Sequence, residues 1–194
     1  MKHPSSRQLF EYWNERRGDR VAPERGDIEP GPIRRALGDT FILGCDAEGT
    51  YRFRLSGTRS CALFCRELKG EDFLALWADA ERREMRERVS ATSEESAGFI
   101  AGVAGRNTDG ASTDLELLLL PLQHRDASQA RLLGVLAPLV PPYWLGATPL
   151  ASMSCGTVRH LGPESGHIVA PRLVPGTESA RMRHGLIVYE GGRS

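Results

Sequence analysis

The chain has 194 residues, 40% of them hydrophobic and 26% charged, which suits one globular domain with a real core plus some less ordered chain at the ends. Lys+Arg and Asp+Glu both count 25, so the formal charge is zero and no global field draws the chain to nucleic acid or to an anionic membrane. Charges scattered from Lys2 to Arg20 interrupt any signal peptide, and the longest apolar stretch, 132–146, is too short for a bilayer and carries Pro138, Pro141 and Pro142. The chain is therefore expected in the cytoplasm, with no membrane contact and with Cys45, Cys61, Cys65 and Cys155 as reduced thiols.

Ser5 and Ser6 are N-cap candidates for a first helix whose apolar stripe holds Leu9, Phe10, Tyr12 and Trp13 and which ends near Gly18. Residues 20–32 carry three prolines and two glycines among charges and read as a connector. Residues 40–45 are strand-like, 46–49 supply turn residues, and Tyr51, Phe53 and Leu55 then alternate with Arg52 and Arg54, which makes a hairpin with one wet face. A helix is expected over 57–68, stopped by Gly70, then a short apolar segment from Phe73 to Trp77 and a longer helix over 78–91. Strands follow at 99–105, 114–122 and 131–140, the first two joined by the Asp109-Gly110 turn and the last two by the polar stretch 124–129.

Two strands, then helices, then three strands exclude a parallel doubly wound sheet and give an α+β fold with an antiparallel sheet. The strand 132–140 is apolar on both alternations, so it is expected at the centre, buried on both sides. The central helices cover one face. The N-terminal helix is the available cover for the other, with Leu9, Phe10 and Trp13 as its interface, supplied by the same chain or by a partner subunit in a homodimer. After residue 146 periodicity fades, apart from the run 186–189, and a loosely ordered tail is expected.

The tract 51–59 (Tyr-Arg-Phe-Arg-Leu-Ser-Gly-Thr-Arg), the tract 63–70 and Phe73-Leu-Ala-Leu-Trp77 resemble a PAS-like family of short single-domain bacterial proteins, as do Leu9-Phe-Glu-Tyr-Trp13 and 141–146. The resemblance implies a five-stranded antiparallel sheet with helices on one face, preceded by an N-terminal helix. The resemblance covers about residues 6–160, and the chain is expected to divide into an N-terminal helix and connector (1–32), a PAS-like domain (33–146) and a loosely ordered C-terminal extension (147–194). It also implies a sensory or regulatory role in signal transduction, exercised by binding a small apolar ligand or a protein partner.

Tyr51, Phe53, Cys61, Phe64, Cys65, Leu68, Phe73 and Trp77 are the candidate lining of a ligand pocket beneath the helices, or equally of a core closed by side chains alone. The second possibility corresponds to a constitutive dimerisation or adaptor module. Cys61 and Cys65 are spaced to share a helix face and are read as packed thiols, slow toward reagents. Cys65-Arg-Glu-Leu-Lys-Gly70 further resembles the cysteine segment of the flavin-binding, light-sensing branch of PAS domains. This chain has Phe64 where that branch has Asn, and leucines at 117–120 where it has amides, so no cofactor is expected, and a flavin or redox sensor acting through Cys65 is kept as the third reading of function. Asp114 and Glu116 share one strand face and are read as solvated. His124, His160, His167 and His184 match no usual zinc spacing, and neither a nucleophile elbow nor a phosphate loop is present. No metal site and no catalytic activity are expected.

Overall fold

Leucines at 115, 117 and 119 alternate with others at 118, 120 and 122, and both sets are buried, which a strand achieves only when each face of its sheet is covered. The computed structural model describes residues 1–46, 48–94, 96–123, 131–162, 180–183 and 186–189, the last two segments by backbone alone. In chain order it contains α1 (Pro4–Arg17), β1 (Thr40–Cys45), β2 (Tyr51–Ser56), α2 (Thr58–Leu63), α3 (Asp79–Glu94), β3 (Gly98–Asn107), β4 (Ser112–Leu122), β5 (Arg131–Pro138), β6 (Leu150–Leu161), β7 (Ala180–Arg183) and β8 (Leu186–Tyr189). Short 3-10 turns lie at Arg25–Asp27, Leu37–Asp39 and Phe73–Leu76. Strands β1 to β6 form one antiparallel sheet in the order β2-β1-β5-β4-β3-β6, and β7 pairs with β8 apart from it.

Strand β5 lies between β1 and β4, and its residues 132–138 are all buried, the central place that its apolar sequence predicts. On one face α2, the turn at Phe73–Leu76 and α3 close a core around Phe41, Phe53, Phe73, Trp77, Met85 and Leu117. On the other, Leu9, Tyr12 and Trp13 of α1 pack with Ile42, Leu118, Leu120, Leu133 and Val135. The cover on this second face comes from the chain itself. Residues 20–32 join it: Ala22 and Ile28 are buried with α1, and the Gln123 N–H donates to the Pro23 carbonyl at 2.8 Å, so the expected connector is part of the packing.

Gly134 is opposite Phe41 in the β1–β5 pairing, and a methyl group there would come within 2.3 Å of the Phe41 ring. That ring packs across the sheet only because Gly134 offers no side chain. Gly134→Ala is expected to destabilise the fold by about 1–3 kcal/mol, as overpacking does; urea unfolding with an unchanged midpoint would show that the ring moves freely aside.

Three sequence expectations change. The sheet has six strands, because Leu150–Leu161 pairs with β3 along its length, where a loosely ordered extension was expected from 147. Helix α1 starts one residue before Ser5: Pro4 takes the first turn, where its missing N–H costs nothing, and His3 is the N-cap, its Nδ1 accepting the Ser5 N–H at 3.2 Å. The helix predicted over 57–68 stops at Leu63, and Cys65 adopts a left-handed φ of 51°, so Cys61 and Cys65 do not share a helical face. The stretch 124–129, His124, His167 and His184 lie outside the described residues, while His160 is exposed on β6.

Candidate functional site

Of the eight residues predicted to line a pocket, six meet in one core: Tyr51, Phe53, Phe64, Leu68, Phe73 and Trp77 are all buried. Strand β2 turns Tyr51 and Phe53 inward on alternate positions, and Asp72 caps the following turn by accepting the Leu74 N–H at 3.0 Å, which presents Phe73 to the same space. Phe41, Phe53 and Phe73 then form a triangle of rings with centroids 5.5–5.9 Å apart. Phe73 also meets Trp77 edge to face at 5.9 Å. These are the separations at which aromatic pairs attract, so the aromatic side chains occupy the middle of this face.

Trp77 carries the one polar atom of that ladder. The side chain is 1% exposed, and its indole N–H is buried with no acceptor among the described residues. Burial also pushes the Tyr51 phenol above its ordinary range, opposed by a hydrogen bond with Ser90.

The two cysteines are placed differently from the aromatics. Cys61 is half-buried at the edge of the core and Cys65 is exposed, turned outward by its left-handed backbone; the reading of Cys65 as a packed thiol is corrected. Burial raises the thiols of Cys45 and Cys155 above the usual cysteine range, leaving less of the reactive thiolate at neutral pH. A maleimide added to the native chain at pH 7 is therefore expected to label Cys65 first, and Cys65→Ala to remove the fast phase with little effect on stability. Peptide mapping that put the fast label on Cys45 or Cys155 would contradict the placement.

On the opposite face α1 stops short of the β3–β6 side. A cavity of about 740 Å³ opens there, with Ile100, Gly102, Ala104, Leu139, Gly156 and Arg159 in its lining. The loop after Leu139 exposes Val140 (75%) and Tyr143 (97%) while Trp144 anchors it in the core. Of the predicted interface residues, Leu9 and Trp13 are buried against the chain's own sheet and Phe10 is half-buried, stacked on Trp13 at 6.2 Å. The Trp13 indole N–H donates to the Pro121 carbonyl at 2.8 Å, so these side chains are committed within the chain.

Two buried carboxylates hold the start of α1. Glu116, read from the sequence as solvated, is 4% exposed and accepts the Lys2 and His3 N–H groups at 2.6 and 2.9 Å; its neighbour Asp114 is exposed. Asp39, 2% exposed, accepts Nε and Nη2 of Arg59, each at 2.7 Å, and the Ser5 hydroxyl at 2.6 Å. Sequence reasoning quoted Arg59 only as the end of the tract 51–59 and passed over Asp39, its partner 20 residues away.

No helix among the described residues is long and apolar enough to cross a membrane, and none of these residues form a group of three or more metal-ligating side chains. A search of curated proteins finds no match. Among solved structures the chain is similar to the PAS domain of a Colwellia psychrerythraea protein, at 17% identity and a TM-score of 0.39 over 54% of this chain and 92% of that one. It is similar to the PAS domain of an HTR-like protein from Haloarcula marismortui, at 20% and 0.39 over 54% and 88%. A light-oxygen-voltage domain studied with a flavin analogue gives 15% and 0.43 over 59% and 86%. The family model described as PAS domain matches residues 1–137, which takes in both covers of the sheet and its first five strands, and the chain belongs to this family of sensory and regulatory domains.

Proposed function

We propose that this chain is a regulatory module that signals by contact with a protein partner, performs no reaction of its own, and closes its helix-covered core with its own side chains. The observation that carries this reading is the exposure of two apolar side chains, Val140 at 75% and Tyr143 at 97%, on a loop that follows the cavity-lining Leu139 and is anchored by buried Trp144. Large apolar side chains held in water on an anchored loop are characteristic of interaction surfaces. The aromatic ladder on the other face supports a filled interior.

A second reading, a small ligand in the helix-covered core, is favoured by the unpaired indole N–H of Trp77. A mostly apolar ligand with one acceptor would satisfy that donor, and leaving it unsatisfied costs about 1–3 kcal/mol. A flavin is disfavoured, because the leucines at 117–120 offer its polar edge no side-chain partners and Cys65 lies at the surface.

Native mass spectrometry and an absorption spectrum of the freshly purified chain separate these. The expected result is the mass of the polypeptide alone and a colourless solution. Added mass lost on Trp77→Phe would replace the proposal with the ligand reading, and a yellow protein that bleaches in blue light would replace it with a flavin sensor. A protein captured by the chain, and lost on combining Val140→Ser with Tyr143→Ser, would place the contact on this loop.

A further inference from the structure

The two faces of the sheet are covered by separate elements, and Asp39 touches both covers. Its Oδ2 accepts the Ser5 hydroxyl of α1 at 2.6 Å and Nη2 of Arg59 on α2 at 2.7 Å, while Oδ1 takes Arg59 Nε at 2.7 Å. One carboxylate oxygen is thus shared by the N-terminal helix on one side and a core-closing helix on the other. The fork of Arg59 fixes the carboxylate plane, and that plane aims Oδ2 at Ser5. Arg59 is half exposed and Asp39 is not, at 51% and 2%, so withdrawing the guanidinium admits water to one side of the carboxylate and frees it to turn.

The opposite end of α1 is held by different contacts. Trp13 donates to the Pro121 carbonyl at 2.8 Å, and the Tyr12 hydroxyl donates to the Asp27 carbonyl at 3.1 Å and accepts the Glu29 N–H at 2.9 Å. None of these involves Asp39. Glu116 keeps its hold on the Lys2 and His3 N–H groups ahead of the helix, so loss of the shared oxygen loosens the first turns of α1 that follow Ser5 and leaves its last turn seated.

We infer that Ser5, Asp39 and Arg59 form a latch that transmits a displacement of α2 on one face of the sheet to the start of α1 on the other. The inference stands apart from the proposed protein contact, because the isolated chain tests it. A coupling of this kind, carried by a shared group, alters one element's equilibrium when the other is perturbed.

Hydrogen exchange of the full chain by NMR is the test. Arg59→Ala is expected to speed exchange at the amides of residues 7–10 by about 5- to 150-fold, the usual range of coupling between sites, and to leave residues 15–17 as in wild type. Ser5→Ala is expected to give the same local acceleration, and the double variant no more than either alone, because both remove one contact. Arg66→Ala breaks an exposed pair with Glu71 instead and is expected to leave α1 untouched. The latch is overturned if Arg59→Ala loosens α2 alone, if the acceleration reaches residues 15–17 equally, if the two single effects add, or if Arg66→Ala does the same.

Discussion

Replacing Trp77 by alanine is expected to cost about 3–5 kcal/mol in urea unfolding, the usual loss for a fully buried large aromatic. Domains have about 5–15 kcal/mol in total, so this loss is a large share of the chain's stability. Trp77 is 1% exposed and meets Phe73 at 5.9 Å, and a vacated indole there cannot be refilled by collapse because the neighbouring rings support one another. Trp77→Phe separates the two contributions. It keeps a ring against Phe73 and removes the unpaired indole N–H, whose burial costs about 1–3 kcal/mol, so it is expected to cost far less than alanine. A loss below about 1 kcal/mol for Trp77→Ala would put the side chain at the surface and dismantle the core described here.

Deleting residues 1–18 is expected to have the largest effect on behaviour in solution. The deletion strips Leu9, Tyr12 and Trp13 from Ile42, Leu118, Leu120, Leu133 and Val135 and leaves a contiguous apolar face, which is an association surface. It also removes the two N–H donors held by the buried carboxylate of Glu116 at 2.6 and 2.9 Å. Sedimentation is expected to show larger assemblies or loss of soluble material. One well-behaved species of unchanged state, with and without the segment, would mean that α1 is dispensable.

The parts of this fold that the sequence exposes are those whose burial repeats with a fixed period. Strand β5 is apolar at both alternations and so announced its central place; the stripe of Leu9 and Trp13 announced a helix in need of a surface. Strand β6 made no such announcement. Along Leu150–Leu161 only Leu150 and Met153 are buried, and Ser152, Ser154, Gly156 and Thr157 resemble loop chemistry, because much of what holds this strand is backbone pairing to β3, which leaves no periodic mark in the sequence. The cysteine pair misled for a related reason. Spacing suits one helix face at 61 and 65, but the helix ends at Leu63 and a left-handed residue follows, a turn that no glycine marks at that point. The aromatic lining of the helix-covered core was legible because each residue lies in an apolar run. Asp39, Arg59 and Glu116 were not, because a buried charge differs from a solvated one only in the partners that folding brings to it.

The order of strands in the sheet also sets how the chain must fold. Thr40 pairs with Val135 and Gly44 with Arg131, so β1 waits for a neighbour that lies far along the chain, while β2 and β3 are joined only through the helices. Closing so long a loop is paid in chain entropy before the contacts repay it, and non-local pairing of this kind slows folding. During synthesis, at about 5–20 residues per second, the hairpin of β1 and β2 spends several seconds without β5, its apolar residues uncovered.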